Sequence, residues 1–77
     1  MSNAIHISTM RRMLAKGEPV TLRVWTQTGE IQTLHNAISL RFDPHSGTRN
    51  VKLMDSREIR RVRDVCIFQI NDNEVYI

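Results

Sequence analysis

Apolar and polar positions change period once along this chain, dividing it into a short helical start and a long alternating remainder. Between Ser8 and Pro19 the apolar residues Met10, Met13 and Leu14 recur at i, i+3 and i+4, with Arg11, Arg12 and Lys16 on the remaining surface. That spacing predicts one narrow apolar stripe on a helix. Its ends are marked: Ser8 or Thr9 can accept the free N–H groups of the first turn, Gly17 can take a left-handed conformation after the last, and Pro19 cannot continue the helix. A helix of about two and a half turns does not persist alone, so the stripe must dock on the rest of the fold.

From Val20 onward the period is two. Val20, Leu22 and Val24 share one face and Thr21, Arg23 and Trp25 the other, the pattern of a half-buried strand. After a turn at Gln27–Glu30, Ile31 and Thr33 share a face with Leu34 opposite, and Ile38, Leu40 and Phe42 then resume alternation in the even register. A slip of one residue predicts a β-bulge near His35, Asn36 and Ala37. The turn-forming run Asp43-Pro44-His45-Ser46-Gly47 predicts a hairpin between Ile38–Phe42 and Asn50–Met54, with Val51 and Leu53 pointing inward. Asp55-Ser56-Arg57-Glu58 resembles a capping box and predicts a single 3₁₀ or helical turn. A Val-, Ile- and Phe-rich segment follows from Val62 to Ile70, then a tight turn at Asn71-Asp72-Asn73 and a last short strand, Glu74 to Ile77.

These elements predict a mainly β fold: a short N-terminal helix plus a small five- to six-stranded antiparallel SH3-like barrel, forming one domain over residues 8–77 behind an N-terminal segment of residues 1–7. Ser2, Asn3 and Ala4 resemble an expression remnant while the Met before them argues for a native start, so residues 1–4 carry no functional reading. A helix followed by about five short strands resembles the Sm-like branch of small barrels; that resemblance implies RNA binding by rings of subunits. The sequence departs from that family's motifs: Phe42-Asp43 comes late after Gly29 with no glycine between, and Ile59-Arg60-Arg61-Val62-Arg63-Asp64 holds no glycine beside its arginines. No base-contacting residue is therefore carried over. The chain is also similar to short bacterial proteins, a likeness that implies no activity.

Length narrows the picture further. Seventy-seven residues give room for one core, and so small a domain gains from self-association, so a homo-oligomer is a candidate state. Cys66 is the sole cysteine, which excludes an intrachain disulfide and a thiolate metal site and fits a reducing compartment. No apolar run approaches the roughly 18 to 20 residues of a membrane span, and the N-terminus lacks the apolar centre of a secretory signal; a cytoplasmic location without membrane attachment is expected. The net charge of +3 and pI near 9.8 favour polyanionic partners.

Placement of the cations sharpens this. Arg23 and Trp25 project from the polar side of the first long strand, Arg41 from the next, Lys52 from the one after, and Arg61 and Arg63 from the segment beyond. If they share a surface, guanidinium and ammonium groups can neutralise phosphates while the indole stacks a base, so nucleic acid or an acidic protein is the expected partner of a non-enzymatic binding domain. Outward Arg and Lys also guard strand edges against aggregation, which is the plainer explanation to be weighed against it. Arg57, Arg60, Arg61 and Arg63 interleave with Asp55, Glu58 and Asp64, a mixture that reads as a solvated, ion-paired surface. An alternative function is an assembly module, as in a phage or mobile-element component, with Trp25, the Met-bearing helix and the apolar C-terminal strand as subunit contacts. A third is a metal-independent ribonuclease using Arg, His and Tyr76. His6, His35 and His45 are too far apart in sequence for a local metal site, Cys66 reads as a small core residue in Val65-Cys66-Ile67-Phe68, and the glycines at 17, 29 and 47 fit a cap and turns rather than a phosphate loop. Neither a catalytic residue nor a cofactor is expected.

Overall fold

Alternation from Val20 does produce strands, but they form an open sheet. The computed structural model describes residues 3–77; Met1 and Ser2, part of the N-terminal segment, lie outside the described residues. The elements are β1 (Ala4–His6), α1 (Ile7–Ala15), β2 (Val20–Trp25), β3 (Ile31–Asp43), β4 (Thr48–Leu53), β5 (Ile59–Arg63), a 3₁₀ turn (Asp64–Cys66), β6 (Ile67–Ile70) and β7 (Asn73–Tyr76). The fold is mainly β with one short helix, as expected. Among the described residues the strands number seven rather than five or six, in the order β1-β7-β6-β2-β3-β4-β5, and β1 and β5 are free edges, so no ladder closes a barrel. Nor is the sheet wholly antiparallel, because β1 runs parallel to β7. A three-residue strand such as β1 is too short to show a period, which is why Ala4–His6 was not expected to join the sheet.

The helix docks through Ile7, Met10 and Leu14, all buried, with Met13 partly so. It starts one residue before Ser8. Its cap is His6 rather than Ser8 or Thr9: the Ser8 backbone N–H donates to His6 Nδ1 at 3.1 Å. An imidazole nitrogen thus supplies the acceptor that a hydroxyl was expected to provide. At the other end Gly17 has φ +74° and its N–H donates to the Leu14 carbonyl, the left-handed exit the sequence foresaw.

β2 is the central strand, with β6 on one side and β3 on the other. Its inward residues Val20, Leu22 and Val24 are buried together with Leu34, Ala37, Val51, Ile67 and Ile70. Thirteen residues of straight strand would reach about 43 Å, yet the molecule's longest extent is 29 Å; β3 must bend. The predicted bulge does part of this: β2 pairs Val20 with Ala37 but Leu22 with Leu34, so one extra residue lies on β3. Asn36 takes that strain with φ 53°, a conformation asparagine tolerates better than most residues. The kink is held because the Met54 N–H donates to the Asn36 carbonyl at 2.9 Å and Asn36 Nδ2 donates to Asp55 Oδ1 at 3.0 Å.

Three sequence expectations give way. First, a second bulge at Leu40, between the pairs Ser39↔Val51 and Arg41↔Asn50, turns Leu40 outward to 51% exposure instead of inward with Phe42. Second, Asp55–Glu58 forms the β4–β5 turn rather than a 3₁₀ element; Arg57 has φ 61° and its N–H donates to the Leu53 carbonyl. The 3₁₀ turn lies instead at Asp64–Cys66 and cuts the expected Val62–Ile70 strand into β5 and β6. Third, Asp64 does not belong to a solvated surface, being fully buried. No helix is long and apolar enough to cross a membrane among the described residues.

Candidate functional site

Cross-strand register decides which cations meet. β3, β4 and β5 align Arg41 with Asn50 and Asn50 with Arg61, and two residues along they align Asp43 with Thr48 and Thr48 with Arg63. In the opposite direction Lys52 stands between Ile38 and Ile59. Side chains in such rows emerge on one face of the sheet. Because Arg49 and Val51 are the buried residues of β4, Thr48, Asn50 and Lys52 lie on the outer face. Arg41, Lys52, Arg61 and Arg63 therefore share that face. The ion pairs among the described residues are Arg11–Asp64, Arg49–Asp64 and Arg60–Glu58, so none of these four cations forms a direct ion pair; Asp43, on the same face, acts on Arg61 at longer range.

Two depressions border the row. A polar one of about 480 Å³ is lined by Arg41, Asp43, His45, Thr48, Asn50 and Arg61. Asp43, its acidic member, accepts from the His45 backbone N–H and the Ser46 hydroxyl; these bonds hold its carboxyl below the ordinary range, so it stays ionised and tied to its own turn. The other is a cleft of about 660 Å³ where Trp25, Gln27 and Gln32 face Arg61, Val62 and Arg63 across the open side of the sheet. The β2–β6 ladder ends at Val24↔Ile67, so the Trp25 backbone has no ladder partner on β6 and the sheet opens beside it. Cys66 is half-buried at its wall rather than in the core.

Arg23 lies apart from the β3–β4–β5 row. Its guanidinium lies 5.6 Å from the Phe68 ring centroid and donates to Gln69 Oε1 at 3.3 Å, on the outer face of β2 and β6. The same Phe68 packs against Trp25 with centroids 5.2 Å apart, which leaves the indole 47% exposed. Phe68 reaches the outer face because β6 bulges between Ile67 and Gln69. The sequence signal was the three-residue gap between the inward Ile67 and Ile70, a spacing that alternation cannot produce. Tyr76 lies on β7 against His6, ring centroids 5.4 Å apart, and lines neither depression.

A buried ion pair fixes the junction that aims β5. Arg49 Nε donates to Asp64 Oδ1 at 2.9 Å and Nη2 to Oδ2 at 3.0 Å, while Nη1 donates to Ser39 Oγ at 2.7 Å. Arg11 adds a bond from Nε to Asp64 Oδ2 at 3.0 Å, and both guanidiniums sit over the Phe42 ring, at 4.9 Å for Arg49 and 5.3 Å for Arg11. Helix, hairpin and 3₁₀ turn are thereby tied at one carboxylate. The sequence did carry a hint: Arg49 shares the phase of Val51 and Leu53, and a cation on the inward face of a strand needs a partner. Comparison with protein-family models, with curated proteins and with solved structures finds no significant match, so the site stands on its own geometry.

Proposed function

We propose that this domain is a non-enzymatic binding module whose outer β3–β4–β5 face takes single-stranded nucleic acid. The observation that carries the reading is the row of Arg41, Asn50 and Arg61, flanked by Lys52 and Arg63, with none of its cations paired to a carboxylate. Unpaired guanidiniums offer phosphates two parallel hydrogen bonds each, and Asn50 adds a neutral donor between them. Trp25, half-exposed across the cleft from Arg61 and Arg63, gives a stacking surface within the same footprint. The preference for a single strand follows from stacking, which needs an unpaired base. The short helix, the bent β3 and the 3₁₀ turn between β5 and β6 support an SH3-like roll as the architecture behind the face, and a reducing, cytoplasmic setting agrees with the lone Cys66.

The test is the anisotropy of a labelled single-stranded oligonucleotide over a salt series. Binding at low salt should weaken as salt rises, and the triple change Arg41→Ala, Arg61→Ala, Arg63→Ala should lower the log–log salt slope by roughly 2, about 0.7 for each lost phosphate contact. No binding at low salt, or an unchanged slope, would sink the reading. Cleavage of the oligonucleotide that disappears with His45→Ala would replace it by the ribonuclease reading, since His45 lines the same polar depression as Arg41 and Arg61.

A further inference from the structure

The backbone edge of β5 is a second, separate feature. Leu53 N–H donates to the Glu58 carbonyl at 2.8 Å and Asp64 N–H donates to the Gly47 carbonyl at 3.1 Å. In an antiparallel ladder the hydrogen-bonded pairs alternate, so between these two bonds Arg60 and Val62 spend their N–H and C=O groups on β4. The N–H and C=O groups of Ile59, Arg61 and Arg63 therefore point away from the sheet, into the cleft that β5 shares with Trp25, Gln27 and Gln32. Among the described residues β5 has no other strand beside it. Unpaired edges of this kind are templates for an added strand.

We infer that β5 accepts an extended segment of a partner protein in which acidic residues alternate with apolar ones. Side chains of an added strand alternate between two faces. On the outer face they meet Ile59, Arg61 and Arg63, two of them cations without a direct ion pair, so acidic residues are favoured there. On the inner face they meet Val62, Val24 and Cys66, and also Arg60, whose charge is paired with Glu58 at 2.7 Å, so apolar residues are favoured. A second copy of this chain is a poor occupant: antiparallel pairing of β5 with itself sets arginines beside arginines, and the other free edge, β1, presents Ala4, Ile5 and His6 without an acid. Charge complementarity thus selects an acidic partner, and the space it fills is the gap that barrel closure would have occupied. The inference does not rest on the nucleic-acid reading: it shares Arg61, Arg63 and the Trp25 cleft with that reading, but it is carried by the edge amides of β5 and needs neither Arg41 nor Lys52.

The experiment uses the full chain and a short synthetic peptide alternating Glu with Val, with its ends blocked. Hydrogen exchange should show the Ile59, Arg61 and Arg63 amides becoming protected on binding. Methylating the peptide's amide nitrogens on alternate residues in one phase should weaken binding roughly tenfold or more, whereas the other phase should leave it intact, since only one set faces β5. Arg61→Glu should weaken it by a similar factor; the methylated peptides decide the matter should that variant fold poorly. Absence of binding, equal effects of the two methylation phases, or protection of these amides in the free protein together with a dimer mass would each overturn the inference. So would protection of them by the oligonucleotide and not by the peptide, which would assign the cleft to nucleic acid. Loss of oligonucleotide binding alone would leave it standing.

Discussion

Asp64→Ala is expected to destabilise the fold by about 3 to 5 kcal/mol, the cost of stranding a buried charge. Removing the carboxylate leaves Arg49, a residue only 6% exposed, with Ser39 Oγ as its remaining side-chain hydrogen-bond partner. For 77 residues the whole stability is on the order of 4 to 12 kcal/mol, so the variant should melt on the order of 20 °C lower or fail to fold. The discriminating control is the double change Arg49→Met with Asp64→Leu. It removes both charges together, and should recover most of the loss because a packed apolar pair often equals or exceeds a buried ion pair. Arg11→Ala should cost less than about 1 kcal/mol, since its side chain is 44% exposed and its contribution is screened by water. Thermal and urea melts of the four proteins would check this; a double variant no better than Asp64→Ala would show that the pair contributes more than charge balance.

Leu22→Ala ranks next, at about 2 to 5 kcal/mol. Leu22 is fully buried at the centre of β2 and pairs with Leu34 on one side and Ile70 on the other, both also buried. Three large aliphatic side chains meeting across three hydrogen-bonded strands cannot collapse into the vacated space without breaking a ladder, so a cavity remains. Leu22→Met conserves volume and should cost less than about 1.5 kcal/mol. Urea denaturation would check both, with a lowered midpoint at constant m-value as the expected signature. A loss below that of Leu22→Met would mean that the strands do relax.

Local structure was legible wherever one period held for several residues. Met10 and Leu14, Val20 to Trp25, and the slip at His35–Ala37 all follow from spacing, and the left-handed Gly17 follows from its place after the last helical turn. What spacing could not supply was the number of bulges. Ile38, Leu40 and Phe42 look like one uninterrupted face, yet a second extra residue at Leu40 sends Ile38 and Phe42 to opposite sides. Phe42 goes inward, where Arg11 and Arg49 cover its ring, and no run of letters announces such a long-range contact. The same blindness hid Asp64: charge interleaving suggested solvent, while its partners lie 15 and 53 residues away in the chain. For the candidate site, outward alternation sufficed to nominate Arg41, Lys52, Arg61 and Arg63. Separating Arg23 from them required the strand order, which places β6 and not β5 beside β2.

The molecule's single indole has a practical consequence. Trp25 lines the cleft while resting against Phe68 with about half of its surface in water. Its emission therefore reports on occupancy without a dye: a base or a strand that strips water from the ring moves the fluorescence toward the blue, whereas denaturation moves it toward the red, so ligand entry and loss of structure leave opposite spectral signs in one cuvette.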